Sequence, residues 1–169
     1  SRFPRFSDAS VVRRHPDLPG VESHDSLHLH RWCQWISHYH RGGVYDGVRD
    51  KKSEFCASLP LQLFENVMKP HLMEGGRAVV LAEEWQTADA VLQLDWLLRR
   101  ANLRDRVTIL WNANITFGFD EIAWGPLCRA ARITTVSRYM KQRMREWGVH
   151  ALVIPNGLGD EAFDKPSRP

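Results

Sequence analysis

Ala78-Val79-Val80-Leu81-Ala82, followed at once by Glu83-Glu84-Trp85-Gln86-Thr87, is the passage that decides how this chain is read. Five apolar residues without a polar break are what a strand buried on both faces of a sheet requires. The polar residues after it mark a strand mouth. Residues 87–101 then carry Ala88, Val91, Leu92, Leu94, Trp96 and Leu98 at helical spacing, with Arg99 and Arg100 in the last turn, where cations favour the helix dipole. Strand, polar loop, helix is the first unit of an α/β fold.

The same alternation continues outward. Residues 107–111 read as a second strand, and residues 120–131 as a helix that Gly125-Pro126 must kink or shorten. Residues 133–136 form a third strand, after which Ser137 caps a helix reaching Trp147 and ended by Gly148. Residues 151–154 form a fourth strand, and Pro155-Asn156-Gly157 turns the chain out of it. On the other side, Leu59, Leu63, Val67 and Leu72 stand near helical spacing before the stop at Gly75-Gly76. Strands joined by helices run parallel with right-handed crossovers. The expected fold is therefore α/β: a Rossmann-like three-layer sandwich with a parallel sheet and helices on both faces.

Residues 1–58 have poor periodicity and turn signals at Arg41-Gly42-Gly43 and Asp46-Gly47, so a loop-rich segment with at most one or two short strands is expected there. Residues 59–158 make the Rossmann-like domain, and residues 159–169, polar and Pro-containing, read as a linker.

Composition narrows the function classes. The 169 residues suffice for one domain with its own core, and a net charge of +3 demands neither nucleic acid nor an acidic membrane as partner. Basic residues are not interleaved with exposed aromatics, which argues against nucleic acid. No apolar run approaches the ~20 residues of a membrane span. Cys33, Cys56 and Cys128 are odd in number and widely spaced, a pattern suited to reduced thiols and a cytoplasmic location. Most of the seven Trp residues are expected in the core.

Ligands of such sheets bind at the carboxyl ends of the strands. That rule selects the loops at Glu83–Gln86, Asn112–Gly118 and Ser137, with Asn156-Gly157 as a fourth. Glu83, Glu84 and Trp85 offer two carboxylates and an indole, which fits a sugar: hydroxyls take paired donors and acceptors, and an aromatic face packs on C–H surface. The competing reading gives Thr87 and a Glu to helix capping. Asn112, Asn114 and Thr116 offer two amides and a hydroxyl beside Gly118, or close an Asx-turn. Ser137 holds a ligand with the backbone N–H groups around it, or is a plain N-cap.

The segment from Val79 to Phe163 resembles the family 4 glycosyltransferases of the GT-B fold. The resemblance rests on Ile133-Thr134-Thr135-Val136-Ser137-Arg138-Tyr139, a helix, Gly148-Val149, and then Val153-Ile154-Pro155-Asn156-Gly157. Upstream, Ala82-Glu83-Glu84-Trp85-Gln86-Thr87-Ala88 is similar to that family's A-H-D-W-x-T-A loop, with Glu83 standing where many members have a His that contacts the transferred sugar. The resemblance implies part of a GT-B N-terminal, acceptor-side domain, in a retaining enzyme that moves a sugar from a nucleotide-sugar to a carbohydrate or lipid-linked acceptor. The nucleotide-sugar is a co-substrate and no cofactor is implied. Glu83, Glu84, Trp85, Asn112, Asn114, Thr116 and Ser137 would line the acceptor and sugar site in binding and electrostatic roles, with no nucleophile or general base among them. In the family's terms the C-terminal donor domain is missing, and the chain alone is expected to be inactive.

Three other readings stand beside this one. A non-catalytic α/β binding domain fits the same fold. His28-x-His30-x-x-Cys33 with His38-x-His40 could supply zinc ligands, although the spacings match no familiar module. Lys141, Arg143 and Arg145 on the helix after Ser137, and Arg99, Arg100, Arg104 and Arg106 elsewhere, suggest peripheral membrane contact or simply a solvated face. Pairing with another copy as a homo-oligomer would cover an exposed sheet edge.

Overall fold

Three strands, β1 (Ala9–Arg13), β2 (Val21–His24) and β3 (Leu27–Arg31), open the computed structural model, which describes residues 9–13, 21–24, 27–43 and 45–157. They form a small sheet in the order β1-β3-β2, with β1 parallel and β2 antiparallel to β3. A single helical turn, α1 (Gln34–Ser37), follows, and then the long helix α2 (Val48–Leu63), which runs through a π turn at Phe64–Met68 into α3 (Lys69–Met73).

The chain divides into units Ser1–Pro70 and His71–Pro169, not near residue 58, and the N-terminal segment holds three strands and most of a helix where a loop-rich stretch was expected. The helix expected from residue 59 begins eleven residues earlier, at Val48. Two features hid its start. Gly47, at φ 60, is its N-cap, and it lies so close to the His40 ring that no Cβ would fit. Lys51 occupies a buried position where periodicity asks for an apolar residue; its Nζ donates to the His40 carbonyl at 3.4 Å. Pro60 suits a helix start but sits, fully buried, in the interior.

The second unit follows the sequence reading closely. Its strands are β4 (Ala78–Glu83), β5 (Val107–Ala113), β6 (Arg132–Thr135) and β7 (Leu152–Val153), all parallel and in the order β4-β5-β6-β7. The crossover helices are α4 (Ala88–Arg100), α5 (Trp124–Ala130) and α6 (Arg138–Arg145). This is a mixed α/β, Rossmann-like fold. Short 3-10 turns at Trp85–Thr87 and Phe119–Glu121 trim the helices expected from residues 87 and 120.

A strand order that only ever advances one way, with right-handed crossovers, puts all three helices on one face. The packing agrees. Trp111, fully buried on β5, reaches Thr87 Oγ1 at the entry to α4 through its Nε1 (3.2 Å) and lies edge-on to Trp124 of α5 at 5.6 Å. Phe119 extends the cluster to Trp124 at 5.0 Å and to Trp147, beyond the end of α6, at 6.4 Å. The opposite face presents Leu81, 73% exposed, and Leu152, 63% exposed. The five apolar residues that open β4 therefore do not mark a strand buried on both faces. β4 is an edge strand whose residues alternate between cover and exposure, and the second helical layer is not supplied by these crossovers. Of the Trp residues, Trp85, Trp111 and Trp124 are core, while Trp35, Trp96 and Trp147 are substantially exposed. The linker expected at 159–169 lies outside the described residues.

Candidate functional site

Register sets the site. Glu83 of β4 pairs with Asn112 of β5, and Asn112 pairs with Thr134 of β6, so the loops after these strands leave the sheet along one carboxyl edge. The ladder extends one step further, because Glu84 N donates to the Asn112 carbonyl at 2.9 Å.

At Glu84 the backbone then breaks away at φ 67, ψ 162. That region of backbone space is essentially reserved for glycine, and a side chain held there costs of order 1–3 kcal/mol. The surroundings hold it. Glu84 Oε1 accepts from the Asn114 backbone N–H at 2.8 Å, and the Thr87 hydroxyl lies 2.9 Å from the Glu84 carbonyl and 3.0 Å from that of Glu83. Thr87 therefore does not cap α4 through its side chain; it fastens the turn before it. Glu84 Oε2 is shielded from solvent and has no hydrogen-bond partner among the described residues.

Asn112 is the hub. Its Oδ1 accepts from Thr134 Oγ1 at 3.0 Å, which leaves its amide nitrogen facing Glu83 Oε1 at 3.4 Å and Asn114 Oδ1 at 3.3 Å. Thr134 is buried, so the orientation of the Asn112 amide is fixed from beneath. The Asn114 amide nitrogen donates to none of the described residues and is left for another acceptor. The structure thus brings Glu83, Glu84, Asn112 and Asn114 into one network of carboxylates and amides.

The other expected site residues are placed differently. Trp85 is only 3% exposed. Gly118, at φ 75, lets the backbone approach so closely that a Cβ there would stand 2.5 Å from the indole. Trp85 is thus a packing residue beneath the loop, and its face is not open to a sugar. Thr116 is exposed, and its carbonyl accepts from Phe119 N at 3.4 Å. Ser137 lies on the same edge as an N-cap, its Oγ accepting from Met140 N at 3.1 Å, and no hydrogen bond joins it to the carboxylate–amide network among the described residues. The loop at Asn156-Gly157 follows β7 on that edge.

Two residues near the network were not singled out from the sequence. Thr134 was visible only as part of a strand, and its partner became evident only with the register. Phe117 is 60% exposed and lies edge-on to Trp85 at 5.6 Å; an aromatic residue just before a glycine in a polar loop was the available signal.

The His/Cys stretch does not assemble. Cys33 is buried with Sγ toward the Lys51 carbonyl, and His40 lies between Asp46 (3.6 Å) and Asp50 (3.2 Å). No group of three or more His, Cys, Asp or Glu side chains suited to a metal ion occurs among the described residues. On α6, Arg143 pairs with Glu146 at 2.9 Å and Arg145 with Gln142 at 3.3 Å, as on an ordinary solvated face. Among the described residues no helix is long and apolar enough to cross a membrane.

No protein-family model matches the chain, and neither a curated protein nor a solved structure matches it.

Proposed function

We propose that this chain is part of the acceptor-side domain of a retaining glycosyltransferase, which moves a sugar from a nucleotide-sugar to a carbohydrate or lipid-linked acceptor. The observation that carries the reading is the Glu83–Asn112–Asn114–Glu84 network at the carboxyl edge of a parallel sheet. A sugar hydroxyl both donates and accepts, and this edge offers both functions at close range. Glu83 is an acceptor, and the Asn114 amide nitrogen, which donates to none of the described residues, is a donor. The resemblance to family 4 glycosyltransferases supports the same site, since its Thr135-Val136-Ser137 and Val153-Ile154-Pro155-Asn156-Gly157 segments leave β6 and β7 on this edge.

The roles are binding and orientation. Glu83 and Asn114 hold hydroxyls, Asn112 is held by Thr134 so that it can orient its neighbours, and Glu84 anchors the loop. In this reading a second, donor-side domain binds the nucleotide. Among the described residues Cys33, Cys56 and Cys128 are not joined in a disulfide, which suits a reducing cytoplasm.

The test is Asn114→Ala in the full-length enzyme. Loss of one hydrogen bond to a neutral hydroxyl costs about 0.5–1.5 kcal/mol, or roughly twofold to thirteenfold in kcat/KM. Thermal unfolding on the same preparation should change little. Unchanged kinetics with a lowered Tm would make Asn114 a turn residue and remove the network from the site.

A further inference from the structure

The polar network explains how hydroxyls are held but not what meets the apolar face of a sugar ring. A pyranose presents C–H groups on one side, and an aromatic face is their natural complement. Trp85 cannot serve, because it is buried under the Asn112–Gly118 loop. The exposed aromatic ring of that loop is Phe117.

We infer that Phe117 is the platform on which the sugar ring stacks, a specificity-determining residue of the same site; this rests on the sugar-binding reading above. Three observations support it. Phe117 is 60% exposed although aromatic, so its surface is available. It is also braced. Its ring lies edge-on to Trp85 at 5.6 Å and 67°, and Trp85 is itself fixed by the close approach of Gly118. A platform already immobilised gives up little side-chain freedom when a ligand lands on it, which is the advantage of preorganisation. Finally, it is three residues from Asn114 in one loop, and the Asn114 backbone is tied to Glu84 at 2.8 Å. Stacking surface and hydroxyl partners are thus held on one short frame. The substrate class that fits is a hexose ring with axial C–H groups on one face, either the transferred sugar or a sugar acceptor. A wholly aliphatic acceptor would use the amides poorly.

The experiment titrates the isotope-labelled 169-residue chain with methyl glycosides of glucose, mannose, galactose and N-acetylglucosamine, following amide and aromatic resonances by NMR. At least one glycoside should shift the Asn114 and Phe117 signals together. Phe117→Leu fills the same space against Trp85 without a flat face and should weaken that glycoside by about fivefold or more, close to 1 kcal/mol. Phe117→Tyr, which keeps the ring, should bind within about twofold of the parent, a difference of well under 1 kcal/mol. The Trp85 and Trp111 indole signals report whether the loop and core survive each change. If Asn114→Ala weakens binding while Phe117→Leu does not, the platform is refuted and the sugar site stands. If no glycoside shifts either residue, the platform and the sugar-binding reading fall together.

Discussion

Glu84 provides the sharpest test of the site's architecture, because two opposing terms meet in one residue. Its backbone occupies φ 67, ψ 162, and its carboxylate accepts the Asn114 N–H at 2.8 Å. Replacing it by Ala removes a charge-assisted hydrogen bond worth about 1.5–3 kcal/mol and keeps a Cβ in the strained region. Replacing it by Gly removes the same bond but recovers roughly 1–3 kcal/mol of strain, less about 0.5–1 kcal/mol for the greater freedom of glycine when unfolded. Glu84→Gly should therefore be more stable than Glu84→Ala by roughly 0.5–2 kcal/mol, although glycine is ordinarily the poorer residue. Because the chain has two units, the free energy is best read from native-state hydrogen exchange of the β5 amides at Ile109 and Trp111, which report the second unit alone. The Asn114 amide should exchange faster in both variants. An Ala variant as stable as the Gly variant, or more so, would mean that the backbone at Glu84 is not strained.

Two further outcomes follow from the geometry. Gly118→Ala forces a side chain to adopt φ 75 and places its Cβ 2.5 Å from Trp85, so the second unit should lose about 2–4 kcal/mol, measured by the same exchange experiment; a loss below about half a kcal/mol would show that the loop opens freely. In the first unit, the Gly42 N–H hydrogen bond, with His40 nearby, lowers the Asp46 carboxyl below its ordinary value. A depressed carboxyl contributes stability above its unfolded value and loses it as pH falls through the folded one. The Gly42 amide shift should therefore titrate below the usual aspartate range, and Asp46→Asn should abolish that titration.

The second unit was legible because its signals agree at every level. Short apolar runs alternate with helices, Ser137 caps and Gly148 stops, and each feature specifies the same element. The first unit was not, because its helix start depends on contacts distant in sequence. Lys51 is held inside with its ammonium toward the His40 carbonyl, and Gly47 is needed both for its positive φ and for the His40 ring that packs on it. Burial of one face of β4 was over-read for a similar reason. The run of residues 78–82 is equally apolar in an edge strand and a central one, and only the strand order decides which.

The site was half legible. Residue type and strand-end position were enough to nominate Glu83, Glu84, Asn112 and Asn114, which the structure joins in one hydrogen-bond network, but nothing local distinguishes an exposed ring from a buried one, and it is Trp85 that is buried and Phe117 that is exposed. The backbone gives an independent argument for this edge. Among the described residues, three non-glycine positions have positive φ: Cys33, Glu84 and Asn102. Asn102 follows α4, where the left-handed conformation ends a helix and asparagine tolerates it well. Cys33, at φ 59, ψ 25, also lies in the ordinary left-handed basin. Glu84 alone occupies a region that side chains avoid, and it does so at the mouth of a parallel strand with its carboxylate tied to the next loop. Gly118, whose positive φ admits Trp85 and thereby supports Phe117, stands at the end of that loop. Strain sustained by the surrounding contacts is what a fold maintains where side chains must be presented in one arrangement, and here it coincides with the edge where such sheets bind ligands.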